Sequence, residues 1–323
     1  MAFNREDYVS VKKEYEAKRA AARERAELRL KKVRASIPGM DGLCAEIDAL
    51  GPKMYEAALQ GREGREERFA EVRRRTEYCV KEREKLLVEN GYPADYLDVH
   101  FECPVCRDEG NVDGAMCECM RKRLVIKGYE SAGISGLCGK MSFDNFDLSY
   151  YKGEDRRNME VILRRVREYA DNFNGRGSGS LLFLGGTGLG KTHLSVAVAK
   201  AVIERGYYVY YCTAEKLFSD FRYERFRRNG DDSPIRTDKY TECDLLVIDD
   251  LGTESSGKDV TAFFYSLLNA RVNTGMSTVI STNLSHKEML AVYDERIASR
   301  LFGEFFPYLF TGRDIRMQKL QEG

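Results

Sequence analysis

The residue pattern with the clearest chemistry is a glycine-rich run that ends in Lys191 and Thr192. It reads Gly185-Gly186-Thr187-Gly188-Leu189-Gly190-Lys191-Thr192, followed by His193, and it fits the spacing G-x-x-x-x-G-K-[ST]. Glycines let backbone N–H groups converge on an anion, and the next helix adds its positive dipole end. We therefore expect Gly185–His193 to bind the phosphates of ATP, with Lys191 at the β- and γ-phosphates and Thr192 as a ligand of Mg²⁺.

A second pattern places two carboxylates directly after an apolar run. Leu245–Ile248 is continuously apolar, as in a strand buried on both faces, and Asp249 and Asp250 follow it. Ligands of open α/β sheets bind at this carboxyl end of the strands. We expect Asp249 to meet Mg²⁺ through water and Asp250 to polarise the attacking water. A helix N-cap is the alternative role for Asp250.

A third apolar run, Thr278–Ser281, leads to Thr282 and Asn283. A polar residue at the tip of such a strand can hold the water that attacks the γ-phosphate, and Asn283 fits that role. An Asx turn that caps the following segment is the alternative.

These side chains need a parallel sheet to bring the strand ends together. From about Met141 onward, short β-rich runs alternate with helix-length segments, which predicts an α/β fold with crossover helices. We expect a loop at Asn172–Ser180, a strand at Leu181–Leu184, a helix at His193–Glu204 and a strand at Tyr207–Cys212.

The first 92 residues have a different composition, rich in Arg, Glu, Lys and Ala, which predicts helices. We expect breaks at Ser36–Gly39 and at Gly51-Pro52. One predicted helix carries a narrow apolar stripe at Phe69, Val72, Thr76, Cys79 and Leu86. Ten basic and four acidic residues between positions 11 and 34 indicate either a solvated face or an arm that binds protein or nucleic acid.

Four cysteines between these regions have the spacing of metal ligands. Cys103, Cys106, Cys117 and Cys119 form C-x2-C-x10-C-x-C, and four thiolates so close in sequence can close a tetrahedral Zn²⁺ site. An iron–sulfur cluster and unligated or redox thiols are the alternatives. The remaining cysteines are isolated, and we expect them to be small buried hydrophobes: Cys44, Cys79, Cys138, Cys212 and Cys243.

The composition of the chain excludes few functions, but the sequence does indicate where in the cell the protein is located. The 323 residues carry 52 basic and 52 acidic side chains, so the net charge alone indicates no partner. The N-terminus has no apolar signal region, and no apolar run approaches the ~20 residues of a membrane span. We expect a cytoplasmic protein.

Taken together, the motifs resemble the AAA+ family. Within it they are most similar to bacterial replicative-helicase loaders of the DnaC/DnaI type and to the related IstB-like transposition helpers. The resemblance covers roughly residues 141–317 and is carried by Gly185–His193, Leu245–Gly252, Ser281–Leu284, Glu295–Leu301 and Gly312–Arg316.

The resemblance implies roles for arginines. Arg300 best matches the arginine finger that such proteins supply to a neighbouring subunit's ATP, and Arg296, four residues earlier, could share the role. Arg316 matches the sensor-II-like arginine that acts on ATP in its own subunit. A surface salt bridge is the alternative for each. Arg316 is followed by only seven residues, which predicts a AAA+ domain without the C-terminal helical lid, as in the loaders.

Basic and aromatic residues alternate after the strand near Tyr207–Cys212. This mixture suits single-stranded DNA, because cations meet phosphates and rings stack on bases. An amphipathic helix with core aromatics is the alternative. The basic residues that we expect to contact DNA are Lys216, Arg222, Arg225, Arg227 and Arg228.

We thus predict a helical partner-binding region at 1–92, a four-cysteine zinc module and linker at 93–140, and a AAA+ ATPase domain at 141–323. The resemblance implies an ATP-dependent loader of the replicative DnaB-type helicase on single-stranded DNA. Its N-terminal region would grip the helicase, and the protein would form an ATP-dependent homo-oligomer. An IstB-like ATPase that helps a DNA transposase and an ATP-gated adaptor with little turnover are the alternatives.

Overall fold

The computed structural model describes residues 3–59, 64–225, 237–252 and 258–322. The chain divides into two compact units, residues 12–120 and a second unit formed by residues 1–11 and 121–323. In the part of the chain that the structure describes, no helix is both long and apolar enough to cross a membrane.

The helices and strands are numbered in chain order. The strands are β1 Asn111–Val112, β2 Ala115–Met116, β3 Ser180–Leu184, β4 Val209–Thr213, β5 Leu245–Leu251, β6 Ser277–Thr282 and β7 Phe305–Leu309. The helices are α1 Arg5–Ser36, α2 Met40–Leu59, α3 Arg65–Glu89, α4 Glu118–Ala132, α5 Ser135–Cys138, α6 Gly153–Asp171, α7 Lys191–Glu204, α8 Ala214–Arg225, α9 Lys239–Glu242, α10 Lys258–Asn273, α11 His286–Val292, α12 Glu295–Glu304 and α13 Ile315–Glu322.

The second unit is built on a parallel sheet with the strand order β4-β5-β6-β3-β7. Its central strands β5, β6 and β3 are buried along nearly their whole length because helices cover both faces of the sheet. One face packs on α6 and α7 through residues such as Val166, Phe183 and Val198. The other packs on α8, α10 and α12 through residues such as Phe218 and Phe264. The predicted α/β fold with a parallel sheet is confirmed.

The predicted elements agree with the observed ones to within one to three residues. Helix α7 begins at Lys191, inside the glycine-rich motif, rather than at His193, and β4 begins at Val209 rather than at Tyr207. β5 continues through both aspartates to Leu251. Only α13 follows β7 among the described residues.

The described secondary structure of the unit of residues 12–120 consists of helices and the β1–β2 hairpin, with turns and irregular chain across residues 90–110. The predicted break at Ser36–Gly39 is confirmed, since α1 ends at Ser36 and α2 begins at Met40. The predicted break at Gly51-Pro52 is wrong, because α2 continues through Pro52 to Leu59. Pro52 is exposed, so water can satisfy the carbonyl that loses its helical N–H donor, and the fixed φ of proline already suits a helix.

The small apolar cluster of this unit joins Val33, Ile37, Met40, Cys44 and Leu87. The cysteine-bearing segment belongs to the same unit as these helices. The predicted three-part division at 92 and 140 stays a prediction. The five isolated cysteines are all buried, as expected for small apolar side chains: Cys44, Cys79, Cys138, Cys212 and Cys243.

Candidate nucleotide and metal sites

The glycine-rich motif forms the loop between β3 and α7. Three glycines of the loop have positive φ angles: Gly185 (138°), Gly188 (71°) and Gly190 (85°). Residues with a Cβ rarely adopt such angles. A Cβ at Gly185 would overlap the carbonyl oxygen of Phe310, and one at Gly188 would overlap the carboxylate of Asp314. The loop therefore requires glycine both for its backbone conformation and for close packing.

Lys191 lies at the start of α7 with its ammonium group turned into this loop. Its Nζ donates hydrogen bonds to the carbonyl oxygens of Gly185 (2.8 Å) and Gly186 (2.7 Å) and to Oδ1 of Asn283 (2.6 Å). The side chain is only 5% exposed, and burial lowers the pKa of Lys191. The contact with Asn283 joins the glycine-rich loop to the tip of β6, two motifs that are 92 residues apart.

The two aspartates at the end of β5 have different environments. Asp249 is 3% exposed and accepts hydrogen bonds from the hydroxyls of Tyr211 (2.7 Å) and Ser281. Asp250 has a left-handed φ of 56°, and its backbone N–H donates to Ser281 Oγ at 2.9 Å. Burial and then the charge of Asp249 raise the pKa of Asp250. Its carboxylate is therefore a stronger base than an exposed one.

A cleft of about 550 Å³ unites most of the predicted nucleotide residues. It is lined by Thr187–His193 together with Asp250, Asn283 and Arg316. A volume of this size suits a small-molecule ligand. The remaining lining residues were not predicted from sequence: Lys140, Met141, Asn145, Phe146, Asp147, Tyr150, Ile315 and Lys319.

Helix α13 closes one side of this cleft. The Ile315 N–H donates to the carbonyl oxygen of Gly188 at 3.0 Å, and Asp314 caps the helix by accepting from the Arg316 N–H at 2.8 Å. Arg316 is exposed, and its positive charge adds slightly to the lowering of the Lys191 pKa by burial and partly offsets the raised pKa of Asp250.

The segment before α6 forms another wall. His193 contacts the carbonyl oxygen of Ser142 through Nε2 at 2.8 Å, and its ring meets Phe146 edge-on at 5.1 Å. Burial lowers the pKa of His193, which favours a neutral ring. His193 thus ties residues 142–146 to α7. These wall residues carry no motif in the sequence, so spacing could not identify them.

The two candidate finger arginines lie on α12, away from the cleft. Arg300 is 32% exposed and pairs with Glu304 at 3.1 Å. Arg296 is 70% exposed, pairs with Asp294 at 3.1 Å and lies over the ring of Tyr265. Neither is among the described residues that line the cleft, and the predicted finger role of Arg300 stays a prediction.

The predicted DNA-binding residues are only partly described. Lys216 forms an ion pair with the buried carboxylate of Asp220, which also accepts a hydrogen bond from Lys239 at 3.0 Å. Arg222 is half-buried. Arg227, Arg228 and the side chain of Arg225 lie outside the described residues. Among the aromatics of α8, Phe218 is buried in the core, whereas Tyr223 is 43% exposed.

The four predicted metal ligands come together in the unit of residues 12–120. The Sγ atoms of Cys103, Cys106, Cys117 and Cys119 all lie within 4.8 Å of one another. The Cys103–Cys117 and Cys106–Cys119 pairs are 4.0 and 3.4 Å apart. A Zn–S bond of about 2.3 Å implies tetrahedral S···S separations of roughly 3.8 Å, so this donor set fits Zn²⁺.

Hydrogen bonds donated by backbone N–H groups hold the cysteine-bearing segment in position. Buried Asp108 accepts hydrogen bonds from the N–H groups of Glu102 (2.9 Å) and Cys103 (2.8 Å), and Gly110 N–H donates to Cys106 Sγ at 3.3 Å. The Cys106 backbone N–H lowers the pKa of Cys103 to about 7 and so favours its thiolate form, whereas burial raises the pKa values of Cys106 and Cys119.

A family model described as IstB-like ATP binding protein matches residues 123–303. The replicative helicase loader DnaC of Escherichia coli is 26% identical over 196 residues, which are 60% of this chain and 77% of DnaC. The chromosomal replication initiator protein DnaA of Wolinella succinogenes is 34% identical over 179 residues, which are 55% of this chain and 38% of DnaA. The family model and the match to DnaC agree with the resemblance found in the sequence motifs.

Solved structures of related proteins also match the chain. A crystal structure of the DnaC helicase loader covers 52% of this chain and 98% of its own, with 26% identity and a TM-score of 0.44. The crystal structure of DnaI has 20% identity and a TM-score of 0.44, covering 55% of this chain and 91% of its own.

Proposed function

The chain belongs to the family of IstB-like ATP-binding proteins, and from this premise we propose that it hydrolyses ATP to load the replicative helicase onto single-stranded DNA. The similarity to DnaC supports the choice of the helicase as the partner. The observation that carries the proposal is the hydrogen bond of 2.6 Å between Lys191 and Asn283. It unites the phosphate-binding loop with the strand tip that would hold the attacking water.

The first proposed step is the binding of ATP in the cleft. Lys191 would exchange its bonds to the carbonyls of Gly185 and Gly186 for bonds to the β- and γ-phosphates. The residues that would hold Mg²⁺ are Thr192, through its hydroxyl, and Asp249; Mg²⁺ would neutralise charge on the phosphate oxygens. The donor set fits, because hydroxyl and carboxylate oxygens are what Mg²⁺ prefers.

Hydrolysis would use the residues at the strand tips. Asp250, whose pKa is raised, would accept a proton from the attacking water while Asn283 holds that water in line. Arg316 would contact the phosphates from α13 in the same subunit. Arg300 would reach the γ-phosphate of a neighbouring subunit and stabilise the negative charge that develops there.

Arg300 makes hydrolysis depend on assembly, which can be tested with two variants. We expect Arg300→Ala to bind ATP like the parent but to lose about 10³-fold or more in turnover, as arginine fingers do. Lys191→Ala should lose tight ATP binding and should not hydrolyse ATP. Mixing the two should restore part of the ATPase activity in the presence of single-stranded DNA, because some interfaces then pair an intact loop with an intact finger.

Arg296→Ala is the matched control, since it removes the same charge from the same helix. Parental turnover in Arg300→Ala together with a loss in Arg296→Ala would move the finger to Arg296. Parental turnover in both variants would contradict the assembly-dependent mechanism.

The proposed partner is tested with the full chain and a DnaB-type hexameric helicase on circular single-stranded DNA. We expect ATP-dependent deposition of the helicase by the parent and by Lys200→Ala, but none by Lys191→Ala. Lys200 lies on the same helix and bonds to the Cys138 carbonyl, outside the cleft. Binding of a transposase–DNA complex instead of the helicase would favour the IstB-like helper, and bridging without turnover would favour the ATP-gated adaptor.

The single-stranded DNA contact is proposed for the segment from Lys216 to Arg228. The exposed ring of Tyr223 supports this surface, whereas the Lys216–Asp220 ion pair reduces the charge that Lys216 can offer. The N-terminal helices are proposed to grip the helicase, and the cysteine cluster is proposed to hold one structural Zn²⁺ per chain.

A further inference from the structure

Asp249 directly precedes the cleft residue Asp250, and hydrogen bonds hold both of its carboxylate oxygens. It is 3% exposed, and each of its carboxylate oxygens accepts one hydrogen bond. The Tyr211 hydroxyl donates to Oδ2 at 2.7 Å, and the Ser281 hydroxyl donates to Oδ1. With one donor on each oxygen, the carboxylate cannot rotate about its terminal torsion without breaking a bond.

The two donors come from the strands on either side of β5. Tyr211 lies on β4 opposite Val247, so its ring extends two residues along the same face of the sheet to reach Asp249. Ser281 lies on β6, directly after Ile280, which pairs with Ile248. We call the two hydrogen bonds from Tyr211 and Ser281 to Asp249 the clamp. The clamp depends on the strand order β4-β5-β6, and no local sequence pattern indicates it.

Ser281 also connects the two aspartates. While its hydroxyl donates to Asp249, its oxygen accepts the backbone N–H of Asp250 at 2.9 Å. The β5–β6 register shifts between Ile248 and Leu251, and Asp250 takes a left-handed conformation there. One side chain thus fixes the carboxylate of Asp249 and the backbone turn that directs Asp250.

We propose that Tyr211 and Ser281 are positioning residues that preorient the Asp249 carboxylate for the divalent cation bound with ATP. An ionised carboxylate offers about four acceptor sites on its two oxygens. The clamp occupies one on each oxygen and leaves the others for the cation or its water. Such hydrogen bonds behind a ligand usually matter for metal affinity. This inference rests on the proposed ATP site.

A purely structural role makes a different prediction. Removing a donor from a buried carboxylate costs stability whether or not a metal binds. A positioning role predicts in addition that the affinity for the metal falls while the affinity for nucleotide without metal is retained. The two roles are therefore separated by comparing nucleotide binding with and without the cation.

The experiment uses the full-length chain with Tyr211→Phe, Ser281→Ala and the double variant. Tyr207→Phe is the matched control, because it removes a phenol hydroxyl just before the same strand, where the ring packs on Phe173. Mn²⁺ binding is measured by electron paramagnetic resonance with a non-hydrolysable ATP analogue. Affinity for the analogue alone is measured by calorimetry in EDTA.

We expect Mn²⁺ binding to weaken roughly 10–100-fold in Tyr211→Phe and Ser281→Ala, with no change in Tyr207→Phe. Analogue affinity in EDTA should stay at the parental value. Parental Mn²⁺ affinity in both clamp variants would overturn the inference. So would an equal loss of analogue affinity with and without metal, which indicates a structural role only.

The outcome also separates this inference from the proposed function. A parent that binds no nucleotide under either condition would overturn both. A parent that binds metal and nucleotide through an intact clamp, yet deposits no helicase on DNA, would leave the inference standing and refute the loader.

Discussion

The two units of the chain differ in the interactions that stabilise each of them internally. The sheet unit buries apolar side chains on both faces of five strands, in two separate clusters. The unit of residues 12–120 has a small described cluster around Val33, Met40 and Leu87. Its helices are linked by exposed ion pairs such as Arg75–Glu46 and Arg34–Asp48, and such pairs stabilise little.

The contrast indicates where each unit is vulnerable. The sheet unit is stabilised by the burial of apolar side chains, and the four-cysteine cluster does not belong to it. If the cysteine cluster of the other unit holds a structural metal, as proposed, much of that unit's stability depends on one site.

The largest effect should follow from removing the metal. Structural Zn²⁺ sites contribute roughly 10–16 kcal/mol to folding, so a chelator should abolish amide-exchange protection around Cys103–Cys119. Exchange in β3, β5 and β6 should stay unchanged. Cys106→Ser should behave like the chelated parent.

Added Zn²⁺ should restore protection to the parent but not to Cys106→Ser. Metal analysis of protein purified without a His-tag should find about one zinc per chain. Unchanged exchange after chelation, or a brown chromophore from an iron–sulfur cluster, would contradict the zinc assignment.

The second effect concerns ATP and should be confined to the sheet unit. Lys191→Ala removes charged hydrogen bonds of about 1.5–3 kcal/mol each, so ATP should bind at least ~100-fold more weakly in calorimetry. At a hundred times its dissociation constant, ATP should stabilise the parent's sheet unit by about 2.7 kcal/mol. Zinc content should be the same in both proteins. A variant with parental ATP affinity would refute the assigned role of Lys191.

The third effect concerns the buried carboxylate of Asp220, which pairs with Lys216 and Lys239 and accepts the Tyr240 hydroxyl bond at 2.7 Å. Burial opposes ionisation, but these donors outweigh it and lower the pKa of Asp220. Asp220→Asn should therefore cost about 2–3 kcal/mol in unfolding free energy at pH 7.

The pH dependence has a definite sign. A carboxyl with a lowered folded-state pKa stabilises the fold at neutral pH, and this stabilisation is lost as the pH falls below its usual value of 3.8. Denaturant unfolding should thus show the parent and Asp220→Asn converging as the pH drops below about 4. A difference that stays constant with pH would exclude Asp220 ionisation as the cause.

The smallest effect should come from Gly188→Ala, because the left-handed conformation costs about 1–2 kcal/mol for alanine. The added Cβ should also displace the Asp314 carboxylate, and hydrogen exchange should show α13 loosened. Gly136→Ala, where a Cβ meets nothing within 4 Å, should leave α13 unchanged. Equal exchange in α13 for both variants would argue against its docking on the loop.

Local patterns determined much of this protein. Three features could be predicted from sequence because each depends on residues that are close in the chain. They are the glycine-rich motif Gly185–Thr192, the aspartates after Leu245–Ile248 and the four clustered cysteines. The helix break near Pro38 was readable for the same reason. Pro52 shows the limit, because an exposed proline in an otherwise favourable helix does not stop it.

Tertiary structure alone decided the rest. The strand order β4-β5-β6-β3-β7 brings Tyr211 and Ser281 to Asp249, and Asn283 to Lys191. The same holds for Arg271, which is 1% exposed and donates to the carbonyls of Tyr240 and Cys243. The periodicity of apolar residues indicates whether a single segment forms a helix or a strand. Which segments become neighbours depends on how their apolar faces pack, and no short stretch of sequence contains that information.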